Sequence, residues 1–432
     1  MTAPPMARDH HDPDPSTDAQ ARPEFVILNQ YYVPDVASTG HLLAELAHES
    51  ARHGRSVSVI TSFPSYGPPE TWQPCEAFEQ RDGVTVRRMR TTRFRKDSLL
   101  GRVSNSVTFL LPLALRMLFS RSRGRVFMYT SNPPFLGIIG GIVSLVRPHP
   151  YVVLLHDSYP HLAVWVGKFR SGSLVERAWH LVNRLLYGRA RQTIVLCERA
   201  KALVVREYGI APERVQVVHN WADPKALFPV PKSESAFAKA NGYDRTFTVL
   251  YSGNLGLYYE FDTILEAARR LQDDPGFRLV FIGAGGKRQQ IADRIAELGL
   301  RNVDMHQYQP FERLNDSLNA CDASLVTIAR GIEGISFPSK LYSSLAVGKP
   351  VLAISEPGGE LEGMVRDAGA GLWSPVGDVD ALVANIRSLR ADADAAQRMG
   401  RRARTLMEEQ YTIGAAARDY LRVIDRAAAE RR

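Results

Sequence analysis

The sequence has little cysteine and no pairing within what it has. Cys75, Cys197 and Cys321 stand far apart in 432 residues without a CxxC spacing, which argues against a disulfide framework or a cysteine zinc site and fits a reducing cytoplasm. A long uncharged apolar run is also lacking. The nearest candidate, VTFLLPLALRMLF at 107–119, is interrupted by Pro112 and Arg116 and is too short for a membrane span. The start, MTAPPMARDHHDPDPSTDAQARP, has no apolar core of the kind a secretory signal needs, and residues 1–22 are expected to form a disordered tail. His10 and His11 in it read as incidental rather than as a metal site. Acid is scarce in one stretch: between Arg87 and Arg125 eleven basic residues face Asp97 alone. Arg93, Arg95, Lys96, Arg102 and Arg116 belong to this one-signed patch, which encloses the apolar segment. Two readings stay open, a basic helix lying on an anionic membrane surface or a helix packed on a sheet with its arginines lining an acceptor cleft. The patch lacks spaced aromatics, so the net charge of +8 is not read as nucleic-acid binding.

What is present is an α/β rhythm. From Phe25 onward, short apolar runs (FVILNQYY, SVSVITS, VTVRRMR, RVFMYTS, YVVLLHD, QTIVLC) alternate with helical periodicity, beginning with a helix from Ser38 to His53. Runs such as YVVLL are apolar on both faces, as strands of a helix-covered parallel sheet should be. The rhythm pauses between Trp221 and Asp244, where Pro224, Pro229 and Pro231 fall in a polar cluster. A second α/β series follows (TFTVLYSGN, FRLVFIGAG, NVDMHQY, ASLVTI, PVLAIS, GLWSP). The expected architecture is two Rossmann-like, doubly wound parallel-sheet domains, 23–220 and 245–400, joined by a linker at 221–244. Helices at 401–432 are expected to pack back on the first domain. Two such domains place the carboxyl ends of both sets of strands on one cleft.

Three loops aim small residues at that cleft. FIGAGGK carries Gly283, Gly285 and Gly286 into a helix, and it reads equally as a structural turn or as a place where backbone amides meet phosphate. The GxGxxG pattern is not completed, since Arg288 stands at its last position, which disfavours hydride transfer. YSGNLG presents Gly253 and Asn254 in the same way. In ARGIEGISFPSKLYSSLAVGKPV, Glu333 lies in a glycine-loosened loop, Pro338 is read at a helix start, and Ser336, Ser339 and Lys340 cluster around it. Free amides with a lysine in the first turn make an anion site suited to a diphosphate. His156 in LLHD ends a strand, where a histidine is as often a structural hydrogen-bonder as a catalyst. Asp157 beside it reads as an orienter of an acceptor hydroxyl or as a cap on the next turn.

The segments NQYYVPDVASTG, LLHDSYP, VVHNWAD, YSGNLG, FIGAGG and EGISFPSKLYSSLAVGKPV occur in an order and spacing that resembles the retaining glycosyltransferases of family 4. The likeness runs from Phe25 to about Leu389 and is greatest to the subgroup that builds O-antigen, colanic acid and other exopolysaccharides. The resemblance implies a GT-B fold, with the donor nucleotide on the C-terminal domain and the acceptor on the N-terminal one. It implies a nucleoside-diphosphate sugar as donor substrate, UDP-linked on family frequency, with no cofactor and no metal. The implied acceptor is a polyprenyl-diphosphate-linked saccharide at the inner face of the cytoplasmic membrane. Lys340 resembles the cation on the leaving diphosphate, Glu333 the first glutamate of the paired-glutamate motif, and His156 the histidine at the donor sugar. Gly40 resembles the glycine-rich turn facing the diphosphate. The chain departs from the pattern at Ser343, where relatives carry a ribose-holding glutamate, and at Asn254, where they carry arginine. Lys287 and Arg330 are possible substitutes for that arginine. The competing readings are a nucleotide-sugar epimerase and a non-catalytic sugar-nucleotide-binding or assembly protein.

Overall fold

The computed structural model describes residues 22–35, 37–66, 69–94, 99–120 and 123–430. Arg95 and Lys96 lie outside the described residues, as do positions 1–21 of the expected tail with His10 and His11; of Arg102 only the backbone is described.

The N-terminal sheet is built from β1 (Glu24–Leu28), β2 (Val57–Ser62), β3 (Phe78–Arg81), β4 (Val84–Met89), β5 (Arg125–Thr130), β6 (Tyr151–Leu155), β7 (Gln192–Val195) and β8 (Val215–Val217). Their order is β3-β4-β2-β1-β5-β6-β7-β8. Every pairing is parallel except that of the edge strand β3 with β4. Reversal of direction across β1 makes this sheet doubly wound, as the alternating apolar runs imply. Its helices are α1 (Ser38–Arg52), α2 (Leu99–Phe119), α3 (Leu136–Val146), α4 (His161–Trp165), α5 (Leu174–Arg189) and α6 (Glu198–Tyr208).

The segment read as a linker is not bare chain. It holds a short helix, α7 (Ala236–Asn241), started by a Ser235 hydroxyl that accepts from the Ala238 amide. The C-terminal sheet follows, with β9 (Phe247–Ser252), β10 (Phe277–Ile282), β11 (Val303–His306), β12 (Ala323–Thr327), β13 (Val351–Ser355) and β14 (Gly371–Pro375). It is parallel throughout, in the order β11-β10-β9-β12-β13-β14. Helices α8 (Asp262–Arg270), α9 (Arg288–Glu297), α10 (Leu314–Leu318), α11 (Lys340–Ala346), α12 (Glu360–Glu362), α13 (Val379–Ala391) and α14 (Ala393–Gln410) complete the domain.

The last helix, α15 (Ile413–Ala429), leaves the second domain and packs on the first. Tyr420, Ile424 and Ala427 on its inner face are fully buried among Phe25, Val57, Val126 and Leu154. An ion pair from one Arg55 guanidinium nitrogen to both Asp425 carboxylate oxygens (2.7 and 2.8 Å) pins it. The apolar stripe that would be unstable on a lone surface helix thus covers β5, β6 and β7 beside α1.

The basic patch is smaller than its sequence. Arg88 is buried and turned inward, donating to Glu79 Oε1 (2.9 Å) and the Val33 carbonyl (2.8 Å), while Arg125 donates to Glu24 Oε2 (2.6 Å). Both are paired with carboxylates inside the N-terminal domain. Arg93 and Arg116 are exposed, the former lying over the Trp72 ring at 5.4 Å.

Candidate active site

The two domains meet through loops at the carboxyl ends of their strands. From the N-terminal side come residues 156–160 after β6 and the start of α6; from the C-terminal side come the loops after β12 and β13. The Ser158 amide donates to the Ile335 carbonyl (2.7 Å) and the Glu198 amide to Glu360 Oε2 (2.7 Å). Arg199 donates to the Gly358 carbonyl (2.7 Å) and sits 3.6 Å from Glu333. The Trp165 indole donates to the Arg330 carbonyl (3.0 Å). Arg199, Glu360 and Trp165 carried no signal in the sequence, because their partners lie far away along the chain.

Lys340 is the first residue of α11 and is 8% exposed. Its Nζ stands 3.4 Å from the centroid of the Tyr259 ring and 4.8 Å from that of Tyr251. Burial drives its pKa well below the ordinary lysine range, and no carboxylate offsets that among the described residues. Ring faces partly compensate the charge, but a desolvated ammonium is strongly stabilised only by an anion. Its stem passes under Gly253, where an added Cβ would come within 3.2 Å of Lys340 Cε. Of the two alternatives for a diphosphate cation, Lys287 Nζ donates to the Tyr259 carbonyl (2.8 Å) and Arg330, which is exposed, to that of Val376 (3.3 Å).

The glycine loops prove to be built around each other. Gly283 has φ 148°, and a Cβ there would stand 2.0 Å from the Gly253 carbonyl oxygen; a Cβ on Gly285 would stand 2.4 Å from that of Leu255. The Leu255 amide donates to the Ala284 carbonyl (2.9 Å). Close backbone packing therefore explains both glycines without a ligand. Asn254 is exposed at the tip of the same pair. Gly40, in the first turn of α1, touches the Tyr31 and Tyr32 backbone, with a Cβ at 3.1 to 3.2 Å.

The third loop differs in detail from its sequence reading. Pro338 lies two residues ahead of α11, and its carbonyl accepts from the Leu341 amide (3.1 Å). Ser339 is the N-cap residue but its hydroxyl makes no capping bond. The Ser343 hydroxyl donates to the Lys340 carbonyl (2.9 Å). Ser336 hydrogen-bonds the Asp157 carboxylate, a bond that opposes the upward push of burial on Asp157. Asp157 thus reaches across the cleft instead of capping its own turn. Glu333 is buried between the domains, its side chain 1% exposed, with Oε1 accepting from the Leu361 amide (2.9 Å) and Oε2 facing Arg199 at 3.6 Å without a hydrogen bond. His156 donates its backbone N–H to Ser131 Oγ (3.0 Å), while its Nε2 is buried and unpartnered. Burial lowers the imidazole to about 4, so at neutral pH this ring is uncharged and offers a free nitrogen to a ligand. Glu360, by contrast, is raised by burial to about 7.

A neutral histidine, a buried acid and a buried lysine with no counter-ion among the described residues therefore meet where two α/β domains face each other, an arrangement suited to an anionic, hydroxyl-rich ligand. A model of the family "Glycosyl transferases group 1" matches residues 232–406, and one of the "Glycosyl transferase 4-like domain" matches residues 39–221. The chain is 24% identical over 386 residues to a Pseudomonas aeruginosa protein that carries the glycosyltransferase name WbjE, covering 89% of this chain and 94% of that one. It is 28% identical over 383 residues to the colanic acid biosynthesis glycosyl transferase WcaI of Escherichia coli strain K12, covering 84% of this chain and 91% of that one. In fold it is similar to Anabaena Alr3699/HepE in complex with UDP, with a TM-score of 0.67 at 16% identity over 92% of this chain and 98% of that one. The two glycosyltransferase family models between them span most of both domains, one on each, and the chain has the two-domain GT-B architecture.

Proposed function

We propose that the protein transfers a hexosyl or aminohexosyl group, with retention, from a UDP-linked sugar to a polyprenyl-diphosphate-linked saccharide in the assembly of O-antigen or exopolysaccharide. The observation that carries this reading is Lys340, a lysine buried at the cleft with no carboxylate partner among the described residues. A nucleoside diphosphate supplies an anion for it. The HepE structure holds UDP, and WcaI is named for colanic acid biosynthesis; both support the choice of donor and pathway class.

In the proposed reaction the anomeric carbon loses its bond to the β-phosphate oxygen while the acceptor oxygen bonds to it on the same face. The acceptor proton passes to the departing phosphate oxygen. Lys340 and the amides at the start of α11 hold the developing charge, a task otherwise given to a divalent metal. His156, neutral at pH 7, accepts a hydrogen bond from a donor hydroxyl, and Asp157 with Ser336 orients the acceptor. Glu333 reaches the donor sugar only by giving up its bond to the Leu361 amide.

A panel of UDP-, GDP- and dTDP-sugars with EDTA and a membrane lipid extract tests this. The expected result is acceptor-dependent release of UDP that EDTA does not abolish. Tight nucleotide binding without release from any donor would favour the binding-protein reading, with Ser343, whose hydroxyl is tied into its own helix, as the cause.

The proposal places the enzyme on the membrane surface. No helix among the described residues is long and apolar enough to cross a membrane, yet α2 exposes Leu100, Val103, Val107, Leu111, Leu115 and Phe119 along one face. Steps of three or four residues make this a continuous stripe. Arg93 and Arg116 stand exposed on the same segment. Such a stripe with cations binds anionic lipid by burying apolar side chains under charge attraction. Raising salt from ~0.05 to ~0.5 M is expected to release most of the protein from anionic vesicles; equal retention on neutral vesicles at both salts would refute the electrostatic part.

A further inference from the structure

Away from the cleft, three helices of the N-terminal domain bring metal-ligating groups together. His161 opens α4, His180 lies in α5 and Glu207 is the penultimate residue of α6. One ligand atom from each lies within 4.8 Å of the others, and all three residues are partly buried. The two imidazoles meet edge to face with centroids 5.0 Å apart. His161 Nδ1 is buried without a hydrogen-bond partner, an unmet polar atom that needs an explanation. Glu207 gives Oε1 to Arg206 (3.0 Å), which leaves Oε2 for another partner. Glu176 stands behind, its Oε1 3.8 Å from His180 Nε2.

We infer that His161, His180 and Glu207 form a binding site for a divalent transition metal of the zinc class. Two imidazoles and one carboxylate suit Zn²⁺ and its neighbours, whereas Ca²⁺ and Mg²⁺ call for oxygen ligands throughout. Bonds of about 2.0–2.1 Å to a tetrahedral ion bring ligand atoms to about 3.4 Å of one another, a contraction from 4.8 Å that side-chain rotation supplies. The fourth position is left to water or to Glu176. The ion ties α4, α5 and α6 together. Since α4 ends in Trp165, whose indole bonds the Arg330 carbonyl across the cleft, it braces the chain that follows His156 and Asp157. It takes no part in the transfer, so this site and the metal-free chemistry proposed above stand or fall separately.

The test uses the untagged full chain with His10 and His11 replaced by alanine, stripped with a chelator and then dialysed. Titration with Co²⁺, followed by visible absorption, and with Zn²⁺, followed by calorimetry, is expected to show one site per chain and a raised unfolding midpoint with Zn²⁺. His161→Ala and Glu207→Gln are each expected to weaken binding about tenfold or more, and to remove the Zn²⁺-dependent rise in midpoint, while their metal-free circular dichroism matches that of the parent. Either of two results overturns the site: no stoichiometric binding by the parent, or unchanged affinity in both variants.

Discussion

Lys340→Met is expected to lower kcat by about 10²- to 10³-fold, the usual loss when one group that stabilises a leaving anion is removed, while the unfolding midpoint holds or rises. The two halves of this expectation come from one cause. Lys340 is buried over the Tyr259 and Tyr251 rings with nothing negative beside it, so in the free protein its charge costs stability, and methionine fills the same space without that cost. The donor's diphosphate turns the cost into binding energy. Because burial holds the free lysine below its ordinary range, it loses its proton at a lower pH than an exposed lysine does. At pH values above that free-enzyme value donor binding takes up a proton, so donor affinity is expected to fall as pH rises through it, a slope that Lys340→Met abolishes. Turnover by the methionine variant close to the parent would remove Lys340 from the chemistry, and a collapsed midpoint would refute the cost of its burial.

Gly283→Ala is expected to destabilise the C-terminal domain by about 3 kcal/mol or more, lowering its midpoint by roughly 6 to 12 °C for a domain of this size, and to raise the donor KM. At φ 148° an L side chain is strained before any clash, and the new Cβ would lie 2.0 Å from the Gly253 carbonyl oxygen. Relief requires the 283–286 loop to move away from 253–256, which breaks the Leu255-to-Ala284 bond (2.9 Å) and shifts the loop that covers the Lys340 stem. Gly286→Ala serves as the control, since its φ is unremarkable and its Cβ meets only the Leu257 side chain, at 3.3 Å. Equal midpoints for the two variants would show that the loops do not depend on each other as described.

The parallel strands were legible because a strand covered by helices on both faces must be apolar throughout, and YVVLL and QTIVLC advertise that over five or six residues. The position of Lys340 at a helix start was legible, because a lysine after a glycine-loosened loop and a proline is a local pattern. Other features were not. Arg88 and Arg125 read as patch members until Glu79 and Glu24 are seen beside them. Asp157 read as an orienter of an acceptor hydroxyl or as a cap, and neither reading names its partner Ser336 in the other domain. The glycines of FIGAGG announced a tight turn but not the opposing loop that requires it.

Everything that depends on residues near each other in the chain was therefore determined by the sequence alone: the two α/β series, the glycine turns, the start of α11 and the apolar face of α2. Tertiary structure decided what depends on distant partners. It set which charges are spent on structure, how Glu333 and Glu360 engage the N-terminal domain through Arg199 and the Glu198 amide, and that Lys340 is desolvated among aromatic rings rather than paired. Burial and counter-charge act through space, and a linear sequence carries neither until the chain has closed on itself.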